Sequence, residues 1–170
     1  MSNATPPDHQ LWPAIESIYR HEIRILQRAD YQDWLSFFAP EFRYRMPVVR
    51  STDARAEMVA APGELGYYDE NRDTMELRVK KLASSNAWSE VPPSRLRYFV
   101  QLLDLTVDNS EIVAVSNVLV FRARNESQEN RYYGERTDRF VEVDGQLKIA
   151  ERTVVLDQVR LAAENLNVFL

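Results

Sequence analysis

The first part of the chain carries apolar residues at helical spacing. The helix predicted from Gln10 onwards presents one apolar face, made by Trp12, Ile15, Tyr19, Ile23 and Leu26. Glu22 falls within or beside this face, and a buried carboxylate needs an ion-pair or hydrogen-bond partner. Arg20 and Arg24 are nearby candidate partners, so we expect Glu22 to be paired if it is buried.

A second helix is predicted over residues 31–38, capped by Asp30 and ended by Pro40. Residues 42–46 alternate apolar and charged side chains, which predicts a half-buried strand. Residues 51–60 are compatible with a helix, whereas residues 65–69 are predicted to form a loop.

A third helix is predicted to begin at Asp73, which together with Glu76 forms a capping-box-like pattern. Met75, Val79 and Leu82 line its apolar face. The first half of the chain is therefore predicted to be mainly helical.

After residue 95 the periodicity changes from helical to extended. Long strands are predicted over residues 96–107, 111–124, 132–143 and 146–156. Asp144-Gly145 is the strongest hairpin signal in the chain, and residues 125–130 are predicted to form a polar loop. Helices followed by long antiparallel strands indicate an α+β fold. Because twist accumulates along long strands, we expect a curled sheet with helices across its concave face, which makes a cone with an internal cavity.

The last ten residues are apolar at Leu161, Leu166, Val168, Phe169 and Leu170. An exposed terminus does not usually carry such side chains, so this tail is predicted to pack on the domain or on a partner.

A rigid corner joins the two halves of the chain. Pro92 and Pro93 are preceded by Trp88 and Glu90, and Arg95 and Arg97 follow. Pro-Pro excludes a helix here, and rigid groups lose little conformational entropy when they dock on a partner. The spacing alone nevertheless favours a plain connector with a buried Trp and solvated charges.

Length and charge narrow the class of protein. The 170 residues are predicted to form a single domain, with residues 1–9 as a mobile arm. The net charge of −5 argues against nucleic acid and anionic membrane as partners. The sequence shows no signal peptide and no membrane-spanning segment, so a cytoplasmic location is expected.

Cysteine is absent, and the chain has only two histidines, His9 and His21. A thiolate-held iron–sulfur cluster therefore has no ligands here, and a two-histidine iron site would need both histidines. We expect no redox metal, and no other cofactor, in this chain.

Two polar groups are candidates for function. His21, Asp30 and Tyr44 could face the cavity and abstract a proton from a small molecule, but a structural role for them is the preferred interpretation. Glu135, Arg136 and Asp138 lie along a predicted strand, where charged residues are typical of a solvent-facing side or of a subunit interface.

Taken together, the ordered motifs resemble the small (beta) subunit of aromatic-ring-hydroxylating dioxygenases. The most specific is Ala-Trp-Ser-Glu-Val-Pro-Pro-Ser-Arg at 87–95; the others lie at residues 22–26, 34–35, 44–47, 75–79, 116–117, 134–138, 156–158, 165–166 and 169–170. Departures from the family pattern occur at Gln27 and at residues 98–101.

The resemblance implies the cystatin-like cone of the nuclear-transport-factor-like superfamily and a non-catalytic, structural role. In this family the alpha subunit holds the Rieske iron–sulfur cluster and the mononuclear iron, and it cis-dihydroxylates an aromatic ring with electrons from NAD(P)H delivered through a reductase. The beta subunit commonly trimerises within a trimer of alpha–beta pairs. The interface candidates under this interpretation are Trp88, Glu90, Arg95, Arg97, Glu135, Arg136 and Asp138.

Two alternatives stay open from the sequence: a stand-alone lyase or isomerase, and a ligand-binding cone. A structural subunit predicts an interior filled by Trp34, Phe37, Phe38 and their neighbours, whereas a lyase predicts a polar cavity in which His21 and Asp30 approach each other.

Overall fold

The computed structural model describes residues 11–52, 58–83, 93–108, 111–159, 161, 166 and 168–170. Three helices, α1 to α3, span Leu11–Gln27, Tyr31–Trp34 and Arg72–Ala83. Six strands, β1 to β6, span Phe38–Pro47, Gly66–Glu70, Arg95–Asp108, Glu111–Arg124, Gln128–Val143 and Gln146–Leu156. In the described part of the chain, no helix is long and apolar enough to cross a bilayer.

All six strands form one sheet in the order β2-β1-β6-β5-β4-β3. Neighbouring strands are antiparallel except β1 and β6, which are parallel. Helix α1 packs across the inner face, mainly against β3. The predicted α+β class is confirmed, and the helices lie on the inner face of the sheet.

The pairing of β3 with β4 and of β5 with β6 is interrupted at defined places. The register shifts between Leu102 and Asp104 and again between Arg139 and Phe140, as β-bulges do. Gly134 faces inward on β5, where a Cβ atom would lie 2.3 Å from the Val155 backbone oxygen. A residue without a side chain is needed here because β6 approaches so closely.

The predicted hairpin between β5 and β6 is confirmed. Asp144 and Gly145 have φ angles of 51° and 73°, the left-handed pair of a two-residue I′ turn. Residues 109–110, which connect β3 and β4, lie outside the described residues.

Several predicted boundaries were wrong. Residues 65–69 were expected to be a loop, but Gly66–Glu70 forms β2, which pairs Tyr68 with Met46. Helix α2 ends at Trp34 and a single 3₁₀ turn follows, so Phe38 opens β1 instead of closing a helix. Pro40 lies in the irregular register between Phe38 and Arg43, where its missing N–H is tolerated.

Other differences concern caps and loop ends. Asn71, not Asp73, caps α3: the Asn71 side chain accepts the Thr74 N–H at 3.0 Å, and the Thr74 hydroxyl accepts the Asn71 N–H at 3.0 Å. Asp30 stands at the start of α2 but makes no side-chain capping bond. Strand β5 begins at Gln128, inside the predicted loop.

A helix was considered over residues 51–60. The described residues of this range, 51–52 and 58–60, are not helical, and Val59 forms an isolated β-bridge with Val49. Residues 53–57 lie outside the described part of the chain, as do residues 1–10.

Candidate functional site: cone interior and outer sheet face

Four charged side chains meet in the centre of the cone. Glu22 on α1, Asp138 on β5 and Arg152 on β6 are fully buried, and Arg136 on β5 is 1% exposed. Arg152 lies between the two carboxylates. Its Nη2 atom is 3.1 Å from Glu22 Oε2 and 2.8 Å from Asp138 Oδ2, while its Nη1 and Nε bind the other oxygens.

Arg136 completes this ion network. Its Nη1 atom lies 3.3 Å from Glu22 Oε2, and its Nε lies 3.4 Å from Asp138 Oδ2. The guanidinium also lies over the Tyr19 ring, 4.3 Å from the centroid. The Trp34 indole donates to Glu22 Oε1 at 2.9 Å, so both Glu22 oxygens are satisfied. Two positive and two negative charges balance within the network.

Burial and ion pairing shift the pKa values of Glu22, Asp138 and Arg152 in opposite directions. Burial alone would raise the pKa of Glu22, but the charges of Arg152 and Arg136 outweigh it and hold that pKa below its ordinary value. The same balance lowers the pKa of Asp138. The pKa of Arg152 is raised, because the carboxylates of Asp138 and Glu22 overcome the effect of burial. Glu22, Asp138 and Arg152 are therefore charged at neutral pH, and neither carboxyl is poised to exchange a proton.

The sequence showed only part of this network. The condition placed on Glu22, that it be paired if buried, is met. Its partners, however, are Arg136 and Arg152, 114 and 130 residues away. Arg20 instead bonds Glu16 on the exposed side of α1. Arg152 was not a candidate at all, because a single Arg in a strand gives no local sign that it faces a carboxylate.

The expectation that Arg136 and Asp138 lie on a solvent-facing strand side is wrong. Side chains alternate along β5, and positions 132, 134, 136, 138 and 140 all point inward. Both side chains are enclosed within this chain, so they have no surface to offer to a neighbouring subunit. Glu135 is exposed on the other face of β5, where a neighbouring subunit can contact it.

The C-terminal residues fill the rest of the interior. Val168, Phe169 and Leu170 are fully buried. Three tyrosine hydroxyls donate to backbone oxygens of this tail: Tyr44 to Leu170 at 3.1 Å, Tyr98 to Phe169 at 2.8 Å, and Tyr68 to Leu166 at 2.7 Å. Val168, Phe169 and Leu170 therefore belong to the core of this chain.

The aromatic residues predicted to fill the cone do so in part. Trp34 and Phe38 are buried, with their rings 4.8 Å apart, and Phe37 is half-buried near the surface. Phe169 supplies the remaining ring, stacked on Trp34 at 4.5 Å between centroids. Trp34, Phe38 and Phe169 belong to one hydrophobic core cluster of the described residues.

The candidate acid–base group is not assembled. His21 is exposed and lies edge-on to Phe37, with ring centroids 5.4 Å apart. Asp30 is exposed at the start of α2, and Tyr44 is buried, where burial raises its pKa to about 12. In the described part of the chain, no hydrogen bond or ion pair joins any two of these three residues. Within that part, no cluster of three or more His, Cys, Asp or Glu side chains suits a metal ion.

The outer sheet face, defined here by the outward side chains of β3, β4 and β5, carries an apolar row. Phe99 pairs with Leu119, which pairs with Tyr133. Phe99 is 63% exposed and Tyr133 is 41% exposed. Aromatic side chains left in water in this way are typical of a surface that another protein covers.

Rows that contain charged or polar residues flank this apolar row. On one side Arg97 pairs with Phe121, which pairs with Arg131. On the other, Gln101 pairs with Asn117, which pairs with Glu135. Arg95 and Arg97 share this face with Phe99 because they alternate with the inward-facing Leu96 and Tyr98. Three of the predicted interface residues, Arg95, Arg97 and Glu135, thus lie on one surface.

Arg97 also donates to the Gln27 side chain at 2.9 Å, which links this surface to the end of α1. Trp88 and Glu90 lie outside the described residues.

Comparison with known proteins agrees with this architecture. A family model described as "Ring hydroxylating beta subunit" matches residues 21–163. The chain is 30% identical over 171 residues to the biphenyl 2,3-dioxygenase subunit beta of Rhodococcus jostii (strain RHA1), covering 96% of this chain and 91% of that relative.

Solved structures give the same result. A chain of naphthalene 1,2-dioxygenase, solved with indole bound in the active site, superposes with a TM-score of 0.85 at 25% identity over 99% of this chain and 89% of that one. The beta subunit of the benzoate 1,2-dioxygenase from Burkholderia mallei shares the fold, with a TM-score of 0.65 at 19% identity over 92% and 93% of the two chains. The chain therefore belongs to the family of beta subunits of aromatic-ring-hydroxylating dioxygenases.

Proposed function

We propose that this chain is a non-catalytic, structural beta subunit that assembles with an iron-bearing alpha subunit, and that the alpha subunit cis-dihydroxylates an aromatic ring. The observation that carries the proposal is the family match over residues 21–163. The interior of the chain is filled by its own ion network and C-terminal residues, which agrees with a structural role. A closed interior suits a scaffold, because chemistry needs a space that a substrate can enter.

The cofactors of the complex would then reside in the partner. The Rieske cluster and the mononuclear iron are assigned to the alpha subunit, with NAD(P)H acting through a reductase. The absence of cysteine from this sequence fits that division, since a Rieske cluster needs two Cys thiolates as well as two His.

We propose that the outer sheet face is the surface that a neighbouring subunit covers. It combines the apolar row of Phe99, Leu119 and Tyr133 with unlike charges at its borders, Arg97 on one side and Glu135 on the other. Buried apolar contacts would supply most of the affinity, and the border charges would set the orientation. A trimer of alpha–beta pairs, a cytoplasmic location and a single domain over residues 1–170 belong to the same proposal.

A lyase or isomerase is the less favoured function. It would require His21 and Asp30 to meet in a polar cavity, whereas both are exposed and each has separate surroundings.

Affinity purification from the native cells tests the proposal. A tagged chain is isolated under conditions in which an aromatic compound is being degraded, and the eluate is analysed for iron and for total mass. We expect a larger, iron-containing chain in equal amount and a mass that corresponds to several alpha–beta pairs. Elution of this chain alone and free of iron, from cells that contain active dioxygenase, would contradict it.

A further inference from the structure

The outer sheet face carries opposite charges on the two sides of its apolar row. Two arginines lie on one side, and a glutamate lies on the other. We call the flanking rows the arginine row (Arg97, Phe121 and Arg131) and the glutamate row (Gln101, Asn117 and Glu135). On every strand each flanking residue is two positions from the apolar row, so both rows lie at the same distance from it. The pattern can therefore match a second copy of itself.

The charged ends of these rows are available to a partner. The Arg131 side chain is 55% exposed, lies over the Phe121 ring at 5.6 Å, and pairs with the exposed Glu129 at 3.1 Å. An exposed ion pair of this kind is weak and yields to a better one. Glu135 is exposed and makes no ion pair with the described residues. An arginine and a carboxylate thus flank Tyr133 on the same strand, ready to contact another molecule.

The charge pattern distinguishes between two ways of stacking this face on a second copy. A two-fold axis along the strands would place Arg97 over Arg131 of the second copy, so like charges would meet. A two-fold axis along the apolar row instead exchanges the arginine row with the glutamate row. Arg131 then faces Glu135 of the second copy, and Arg97 faces Gln101. Because the symmetry repeats each contact, the favourable charge pair forms twice.

We propose that, when no alpha subunit is bound, the outer sheet face pairs with that of a second copy of this chain about a two-fold axis along the apolar row. Phe99, Leu119 and Tyr133 each contact their own counterpart, which removes exposed aromatic surface from water. The strands of the two sheets run nearly aligned and about 10 Å apart, as in other stacked sheets.

This inference rests on the proposed function in one respect, the use of the outer sheet face as an interface. It names the partner that covers the face while the chain is alone. One face cannot be covered twice, so the pair must open when another subunit takes its place.

The test measures the mass of the purified full-length chain, without alpha subunit, by analytical ultracentrifugation over a range of concentrations. We expect the mass to rise to twice that of one chain. Arg131→Glu and Glu135→Arg each bring like charges together at both symmetric contacts, so each should raise the dissociation constant by roughly tenfold or more. Both side chains are exposed, and the variants should unfold at the temperature of the wild type.

An equal mixture of the two variants is the decisive sample. The Arg131→Glu chain offers two carboxylates, which face the two arginines of the Glu135→Arg chain, so the mixed pair should form with about the affinity of the wild type. The control is Lys80→Glu, which makes the same change of charge on the exposed side of α3 and should leave the dissociation constant unchanged.

A wild-type chain that stays monomeric, or that reaches the mass of a trimer, would overturn the inference. So would single variants that pair as tightly as the wild type, or a mixture that does not recover. A monomeric chain that still co-purifies with an iron-containing alpha subunit would reject the symmetric pair and leave the proposed function standing.

Discussion

Glu22 on the first helix and Arg152 on the last strand form a two-point ion pair in the middle of the molecule. Arg152 Nη2 is 3.1 Å from Glu22 Oε2, and Arg152 Nη1 binds Oε1 of the same carboxylate. The contact joins residues 130 positions apart. It ties α1 to the sheet at the point where Asp138, Arg136 and Trp34 also converge, so this pair determines how the helix sits on the inner face.

Glu22→Gln is expected to destabilise the chain strongly. The amide keeps the shape of the side chain but leaves the charges of Arg152 and Arg136 balanced by Asp138 alone. Removing one partner from a buried ion pair costs about 3–5 kcal/mol of unfolding free energy. Urea unfolding measures the change, with Glu16→Gln as control. Because Glu16 forms an exposed pair with Arg20, its loss should cost about 1 kcal/mol or less. Equal effects of the two substitutions would show that the network is not buried as described.

Stability should fall at acid pH because of the same carboxyls. The pKa values of Glu22 and Asp138 are lower in the folded chain than in the unfolded chain. The unfolded state therefore binds protons first as the pH drops, and the stabilisation, fully present at neutral pH, is lost progressively below about pH 5. Unfolding free energies measured between pH 7 and pH 3 follow this loss.

The Glu22→Gln variant isolates the contribution of one carboxyl to that pH dependence. Its unfolding free energy should depend less on pH in the acid range than that of the wild type, while Glu16→Gln should follow the wild type. A wild-type curve that is flat below pH 5 would contradict the assigned direction of both pKa shifts.

Gly134→Ala is expected to disturb the sheet. The added Cβ would lie 2.3 Å from the Val155 oxygen and 3.0 Å from the Leu156 Cα. Both are backbone atoms, which cannot move away by a side-chain rotation. Forcing β5 and β6 apart should cost about 1–3 kcal/mol or more of unfolding free energy. Thermal unfolding gives the comparison with Gly145→Asn at the hairpin, where a Cβ meets nothing within 4 Å and Asn accepts the left-handed φ. If the two variants lose the same stability, the close approach of β6 is not what requires glycine at position 134.

The outer sheet face should matter for assembly and not for folding. The double substitution Phe99→Gln with Tyr133→Gln removes the two aromatic side chains of the apolar row. We expect reduced co-purification of the alpha subunit or a smaller complex, with an unfolding temperature close to that of the wild type. Leu77→Gln is the matched control, because Leu77 is 65% exposed on α3, away from this face. Size-exclusion chromatography with mass determination measures the complex.

Arg95→Ala and Arg97→Ala test the charged border of the same surface. Loss of either guanidinium should weaken assembly, and the difference from the wild type should shrink at higher salt, because salt screens the charge interactions that only the wild type makes. An unchanged complex mass in both variants would show that these arginines are not interface residues.

The sequence alone determined the order and type of most elements, because periodicity is a local property that each segment carries by itself. The spacing from Trp12 to Leu26 predicted α1, and Asp144-Gly145 predicted the β5–β6 hairpin. The ordered motifs also identified the family before any contact was known. Element ends were less predictable: β2 was missed because Gly66 opens a strand of only five residues whose pairing partner lies on β1.

Only the tertiary structure decided which face each charged residue occupies. Arg136 and Asp138 alternate with Glu135 along β5, and the sequence offers two strand faces without stating which is buried. Their burial depends on Glu22 and Arg152, which reach them from α1 and β6, and a buried charge is tolerated only where such partners arrive together. The same holds for the tail: its apolar residues required a place to pack, but the hydroxyls of Tyr44, Tyr68 and Tyr98 that hold it come from β1, β2 and β3 and converge only when the sheet curls.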